Sequence, residues 1–240
     1  MNLTFTEPQL GAMIATFVRA AALAATAPVI GDSGVPMRAK LVFVVAIAFA
    51  VGVNREGVMY GELPGVVGIE LGYGLITGLT ARFVMARVAI AGQLMGMSLG
   101  LGFAQQYDPH AGESAGTVRT LMMTLSGLTF LATGGLEAIV RGCATPAHID
   151  DLMNAGPELL RQGASAFGHG LVLAAPVVLA SLVGNIGLAV MNRAAPAVNV
   201  FSVAFACVLI LGGIVLLATA TNLIGGMADL CRQAAAVITN

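Results

Sequence analysis

The feature that most constrains this chain is a stretch of 67 residues, between Arg161 and Asp229, whose only formal charge is that of Arg193. Arg193 divides the stretch into uncharged runs of 31 and 35 residues. Because about 20 apolar residues in a helix cross the hydrocarbon core of a bilayer, each run is long enough to span a membrane. The sequence therefore predicts a membrane protein.

The composition of the whole chain supports this prediction. Of its 240 residues, 58% are apolar and 10% are charged, whereas soluble domains carry roughly 25% charged residues. A chain of this length is expected to form a single membrane domain over residues 1–240. The net charge of -1 excludes the basic surface that nucleic-acid binding requires. The three cysteines lie far apart and indicate neither a disulfide framework nor a zinc site.

Apolar segments follow one another along the chain and predict an all-α, polytopic membrane fold. The second segment is too short to cross a bilayer unaided, and the last is long enough to fold back at one of its glycine pairs, 212–213 or 225–226. The longest polar break is predicted at 137–161. The segments are 9–30, 41–53, 63–81, 88–104, 120–136, 171–191 and 195–228.

Two of the predicted connections are basic. Residues 32–40 end in Arg38 and Lys40, and Arg82 and Arg87 flank the connection between the third and fourth segments. Because short cytoplasmic loops are rich in Lys and Arg, both loops are expected on the cytoplasmic side, with the N-terminus outside.

Glycines recur at a spacing of four in the third and fourth segments, at Gly74 and Gly78 and at Gly92 and Gly96. This spacing places small residues on one face of a helix. In lipid, such faces allow neighbouring helix backbones to approach closely. The sequence therefore predicts glycine-rich packing faces.

Glu70 lies in the middle of an apolar segment, where a lone carboxylate is costly and needs a partner or a function. One interpretation is a structural carboxylate that pairs with an arginine such as Arg19, which lies within the first apolar segment. The alternative is a proton- or cation-binding group of a small secondary transporter or channel.

No pattern in the chain predicts an enzyme, a metal or a cofactor. Ser165 and His169 have the residue types of an intramembrane serine protease but lie four apart, a poor spacing for a nucleophile and its base. His148, Asp150 and Asp151 make a weak metal motif and are better explained as a helix start with one aspartate as its cap.

Motifs in a fixed order over about 190 residues resemble the FliR/SctT family, the export-gate subunit of bacterial flagellar and injectisome type III secretion systems. The most specific are AGQLMGM at 91–97 and NRAAPAVNVF at 192–201. The others are FVR at 17–19, APVIG at 27–31, VPMR at 35–38, Glu70, Gly74, Gly78, FA at 103–104, DP at 108–109, Pro176, Asn185 and Gly187.

The resemblance implies a subunit of bent helical hairpins in a helical hetero-oligomeric cone. Its expected partners are the P and Q membrane subunits, the FlhB/SctU switch protein and the FlhA/SctV export-gate protein. Unfolded polypeptides would pass through the pore of this assembly. It would be a multi-pass protein of the bacterial inner membrane, with an expected projection toward the periplasm.

The resemblance also implies roles for particular residues. A plug loop that closes the pore at rest would contain Phe103, Gln105, Gln106, Tyr107, Asp108, Pro109, Gly112 and Gly116. Structural polar or turn positions would be Arg19, Glu70, Asn192, Arg193, Pro196 and Asn199, and helix packing would involve Gly74, Gly78, Gly92 and Gly96.

Overall fold

The computed structural model describes the backbone of residues 6–101, 116–144, 146–194 and 200–239, and the side chains of the same residues except 200–205. Within these residues the chain forms seven helices and no strand. They are α1 Glu7–Thr26, α2 Met37–Gly52, α3 Leu63–Ser98, α4 Thr117–Ala132, α5 Gly135–Gly142, α6 Ile149–Ala194 and α7 Val200–Thr239.

The predicted connection at 82–87 is wrong, because α3 runs through it without a break. Its sequence, RFVMAR, contains no proline or glycine, and charge alone does not end a helix. The side chain of Arg82 is 46% exposed and pairs with Asp32 at 3.2 Å. Arg87 is buried inside the helical part of the chain. The charge-based topology therefore loses one of its two loops.

Two further expectations about breaks are also wrong. Helix α7 continues through both glycine pairs, so the last apolar segment does not fold back within Val200–Thr239. The long polar break predicted at 137–161 contains most of α5 and the first turns of α6. A glycine inside a helix costs only about 1 kcal/mol relative to alanine, and a polar residue costs less. Neither residue type therefore necessarily ends a helix.

A glycine does produce the bend between α4 and α5. The two helices meet at an angle of 62°, and Gly134 between them has a φ of 88°. Only glycine adopts this left-handed conformation at little cost. Here the backbone turns where the sequence provides the one residue type that accommodates it readily.

A strained turn precedes α2. Val29 has a φ of 68°, an outlier for a β-branched residue, and the Ile30 N–H donates to the Pro28 carbonyl at 2.8 Å. The side chains of Val29 and Ile30 pack against the buried core. This packing holds the chain in a turn that sequence reasoning did not predict.

Helix length and composition confirm the predicted all-α polytopic fold. Helices α1, α3, α6 and α7 are long and apolar enough to cross a membrane, and the bent pair α4–α5 would make a fifth span. At 1.5 Å per residue, the 46 residues of α6 extend for about 69 Å, whereas a hydrocarbon core is only about 30 Å thick. The charged first turns of α6 therefore lie outside the hydrocarbon core.

The chain divides into two compact units. The first contains the described residues of Met1–Met85, Thr129–Ala164 and Leu230–Asn240. Its core is built from α1, α2, α3 as far as Met85, the end of α4, α5 and the end of α7. Buried members of this core include Ala20, Leu23, Val44, Ile47, Val84, Phe130, Ile139, Cys231 and Ile238.

The second unit contains the described residues of Ala86–Leu128 and Ser165–Asp229. Gly92 of α3 lies against α4, since a Cβ built on it would be 2.8 Å from the Arg119 Cα. Gly184 of α6 faces Leu211 of α7 in the same way, at 3.1 Å from its Cδ2. Small residues thus allow these helices to pack closely within the unit.

In the first unit, Gly74 and Gly78 of α3 lie directly against α1. A Cβ on Gly74 would be 2.9 Å from the Ala22 Cβ and 3.0 Å from the Arg19 carbonyl oxygen. A Cβ on Gly78 would overlap the Thr26 hydroxyl, which already donates to the Ala22 carbonyl. The two glycines permit a close contact between the α1 and α3 backbones.

We expect Gly78→Ala to lower the free energy of unfolding by about 1–3 kcal/mol, because overpacking forces α1 and α3 apart. Gly68 lies on the same helix, and a Cβ there would meet nothing within 4 Å. Gly68→Ala is therefore the matched control and should be neutral or slightly stabilising, since alanine favours helix more than glycine does. Thermal unfolding in detergent compares the two variants, and equal melting temperatures would contradict the packing role.

Candidate functional site

Glu70 lies in the second turn of α3 with its side chain fully buried. Its Oε2 is 2.7 Å from the Arg19 Nε, and its Oε1 is 2.6 Å from an Nη of Arg55. The Ala147 N–H also donates to Oε1, at 3.3 Å. Each carboxylate oxygen is therefore in ion-pair contact with one guanidinium group, and Oε1 accepts hydrogen bonds from Arg55 and from the Ala147 N–H.

The two arginines make further contacts that fix their planes. Arg19 donates to the Gly142 carbonyl at 2.9 Å and stacks over the Tyr73 ring, 4.6 Å from its centroid. Arg55 donates to the Thr16 hydroxyl at 3.0 Å. We call Arg19, Arg55, Glu70, Thr16 and Tyr73 the Glu70 cluster. It joins α1, α3 and the connection before α3, and Glu70 also accepts from Ala147 in the connection before α6.

The charges of the Glu70 cluster sum to +1, with two guanidinium groups sharing one carboxylate. The side chains of Arg19 and Arg55 are 1% and 5% exposed, and that of Glu70 is 0% exposed. Burying such charges is costly, and removal of one partner leaves the others uncompensated. The cluster therefore tolerates little change in any of its charged members.

This geometry bears on the two interpretations of Glu70. A transported cation would have to displace guanidinium groups from both carboxylate oxygens. The structure contains the Arg19 pairing considered from the sequence and adds Arg55 to it. Sequence reasoning missed Arg55 because this residue lies in a polar connection, 53–62, and nothing in its local pattern relates it to Glu70.

A cavity of about 520 Å³ borders the Glu70 cluster. Arg55 and Glu70 line it on one side, and exposed acidic groups line it on others, including Glu56, Glu62 and Asp150. The described residues contain no group of three or more His, Cys, Asp or Glu side chains that could hold a metal ion.

Cys143 lies beside the Glu70 cluster, just after α5, and is fully buried. Burial raises the pKa of its thiol to about 11, although the nearby Arg19 acts in the opposite direction. At neutral pH this thiol is therefore protonated and a weak nucleophile.

The helix-packing glycines lie at contacts between helices. Gly74 and Gly78 face α1, and Gly92 faces α4. A Cβ on Gly96 would be 3.7 Å from the Val118 Cβ, which is ordinary contact. A small side chain would therefore fit at position 96 without a clash.

Most of the predicted plug lies outside the described residues. Gly116 is described and buried immediately before α4. Its carbonyl accepts the first hydrogen bond of that helix, from the Thr120 N–H at 2.9 Å. The other seven named plug residues, from Phe103 to Gly112, lie outside the described residues.

The first two residues of the turn predicted after the sixth apolar segment are helical instead. Asn192 and Arg193 are exposed and helical in the last turn of α6, which ends at Ala194. Helical hydrogen bonding continues through them because neither residue breaks a helix. Pro196 and Asn199 lie outside the described residues.

The serine and histidine of the protease alternative do not form a catalytic pair. The Nδ1 of His169 is 2.8 Å from the Ser165 backbone oxygen, and the Ser165 hydroxyl accepts a hydrogen bond from Arg87 at 3.3 Å. The prediction that an aspartate caps α6 is wrong in position, because the helix begins at Ile149 and both aspartates lie in its first turn. From there Asp151 accepts a hydrogen bond from the His148 N–H at 2.8 Å.

Comparisons with known proteins give a consistent result. A family described as Bacterial export proteins, family 1, matches residues 10–234. Flagellar biosynthetic protein FliR of Caulobacter vibrioides is 31% identical over 230 residues, 88% of this chain and 89% of that protein. FliR of Aquifex aeolicus is 31% identical over 229 residues, 90% and 88% of the two chains. FliR of Escherichia coli is 29% identical over 205 residues, 81% and 78%.

We expect Glu70→Gln to lower the free energy of unfolding by about 3–5 kcal/mol, because two buried guanidinium groups lose the carboxylate that they share. Glu137→Gln makes the same chemical change in the Glu137–Arg141 pair, whose side chains are 64% and 71% exposed. Solvent screens that pair, so its loss should be small. Denaturation of both variants in detergent checks the difference, and equal stabilities would refute the role of the cluster.

Proposed function

Because this chain belongs to the FliR/SctT family of bacterial export proteins, we propose that it is a subunit of the flagellar protein export gate. The family match from residue 10 to residue 234 carries this proposal. The relatives that match over most of their length are named flagellar biosynthetic proteins. We place the subunit in the bacterial inner membrane as a multi-pass protein.

Burial of the apolar helices supports a role within a larger assembly. In the most apolar windows of α6 and α7, only 17% of residues are buried inside the chain, against 50% in α1 and 61% in α3. Val172, Val183 and Leu217 are 73%, 66% and 78% exposed. Such surfaces require lipid or another apolar protein surface.

We propose the P and Q family export-gate membrane proteins as the partners that cover part of this surface. In this proposal the assembled subunits enclose a pore for unfolded polypeptides, and the FlhB/SctU and FlhA/SctV proteins contact the assembly. The subunit itself carries out no catalytic step. Both carboxylate oxygens of Glu70 already contact arginine side chains. This argues against the alternative of a transporter that binds cations at Glu70.

The plug is the part of this proposal with the sharpest functional consequence. Residues 103–116 connect two helices and combine aromatic, proline and glycine residues. We propose that this loop closes the pore at rest, as the resemblance implies. Irregular backbone within a membrane protein is tolerated where it lines or closes an aqueous path.

Co-expression tests membership of the assembly. We expect the chain to give little folded protein when expressed alone and to recover severalfold when P and Q family proteins are expressed with it, because exposed apolar helices then become covered. Size-exclusion chromatography and mass determination of the product measure this. A stable, homogeneous particle formed by this chain alone would contradict the proposal.

Shortening the chain within residues 105–116 tests the plug. We expect the shortened subunit to raise ion leak through the assembled complex at rest, because the pore then lacks its closure. Ion flux into liposomes that contain the complex measures this. Complexes with the unaltered chain and with Glu137→Gln are the controls, and unchanged permeability of a correctly assembled complex would exclude the plug role.

A further inference from the structure

The first unit contains a second cavity, of about 370 Å³, between α3 and the first turns of α6. Its polar lining comes from one face of each helix, because the residues recur at spacings of three and four. They are Tyr73, Thr77 and Thr80 of α3 and Asp151, Asn154 and Glu158 of α6. The cavity shares Tyr73 with the Glu70 cluster, but neither that cluster nor the proposed export role accounts for the rest of its polar lining.

The α3 side of this cavity presents hydrogen-bond acceptors. The Thr77 and Thr80 hydroxyls donate to the Tyr73 and Ile76 carbonyls at 2.8 and 2.7 Å. A hydroxyl has a single proton, so these two oxygens can only accept further hydrogen bonds. Both threonines are buried, with 4% and 1% of their surface exposed.

Tyr73 adds a polar group that lacks a partner. It lines the cavity and is 9% exposed. Its ring contacts Arg19, but its hydroxyl forms no hydrogen bond with any residue in the described ranges. This hydroxyl is accessible from the cavity, where it can donate to or accept from a bound molecule.

The α6 side of the cavity supplies negative charge. Asp151 accepts a hydrogen bond from the His148 N–H but has no ion-pair partner among the residues that the structure describes. Glu158 differs, because Arg161 and Gln162 donate to it at 2.5–2.8 Å. The uncompensated charge at this cavity is therefore that of Asp151.

These observations together select a class of ligand. A ligand that donates hydrogen bonds and carries positive charge would satisfy the threonine oxygens and Asp151. The described residues offer no metal-binding cluster of three or more His, Cys, Asp or Glu. A volume of about 370 Å³ is many times the roughly 10–15 Å³ that one water molecule needs on the same measure, so the cavity has room for an organic group.

We propose that this cavity binds an organic cation, an alkylammonium or guanidinium group, whose N–H donors contact Asp151 and the hydroxyls of Thr77 and Thr80. The Tyr73 hydroxyl makes a further hydrogen bond to the same group. The cation belongs either to a free amine or to a lysine or arginine side chain of a neighbouring protein. The site itself does not depend on the proposed export function.

Putrescine and agmatine are the probes for a free amine, with butanediol as a neutral control. We expect both amines, but not butanediol, to raise the melting temperature of the purified protein or of its complex. Asp151→Asn should weaken their binding about tenfold or more, because a charge-assisted hydrogen bond is lost. Its amide oxygen can still accept the His148 N–H, so the helix start is retained.

Asp150→Asn is the matched control, since it removes the same charge one residue away. Asp150 lines the larger cavity beside the Glu70 cluster, so this variant should bind the amines as the unaltered chain does. Tyr73→Phe keeps the ring against Arg19 and removes only the hydroxyl. We expect it to weaken binding several-fold with little change in the melting temperature without ligand.

A photo-crosslinking residue at the exposed position Asn154 tests a neighbouring protein as the source. We expect crosslinks in the assembled membrane to map next to a lysine or arginine of another chain, and to be lost in Asp151→Asn but not in Asp150→Asn. The inference is overturned if neither amine binding nor crosslinking depends on Asp151. It is also overturned if Na⁺ or Ca²⁺ stabilises the protein through Asp151 while the amines do not. Neither outcome affects the export proposal, which co-expression tests separately.

Discussion

The buried carboxylate of Glu70 is the interaction on which the first unit depends. It holds Arg19 of α1 and Arg55 of the connection before α3. Through Arg19 and the Ala147 N–H it also fixes the segments on either side of the connection between α5 and α6. Separating one of these groups from the others would leave buried charge uncompensated, which is strongly destabilising. The cluster therefore specifies which segments meet.

Close helix packing is built around this cluster. Gly74 lies one turn after Glu70 on α3 and against the Arg19 backbone of α1. A side chain at Gly74 would push α1 away from α3. The 2.7 Å contact between Arg19 and Glu70 would then lengthen. The glycine spacing and the buried ion pair are thus parts of one arrangement, in which small residues bring the backbones to the separation that the charges require.

The second physical constraint is the mismatch between helix length and membrane thickness. Helices α3, α6 and α7 have 36, 46 and 40 residues, far more than the roughly 20 that a bilayer requires. Their excess length extends beyond the hydrocarbon layer, where polar groups such as Asp151 and Asn154 can be hydrated. The polar cavity that we propose binds a cation lies in this part of α6. The exposed apolar parts of α6 and α7 are consistent with a subunit that other chains surround.

The sequence by itself determined that this is a helical membrane protein, because uncharged runs of 31 and 35 residues have few other stable environments. It also carried the family motifs and suggested Arg19 as a partner for Glu70, since both are costly in apolar segments. Only the tertiary structure decided that α3 runs through 82–87, that α7 continues past its glycines, and that Arg55 completes the cluster. Charge and glycine patterns are local, whereas helix ends and ion pairs depend on the segments that lie opposite in space.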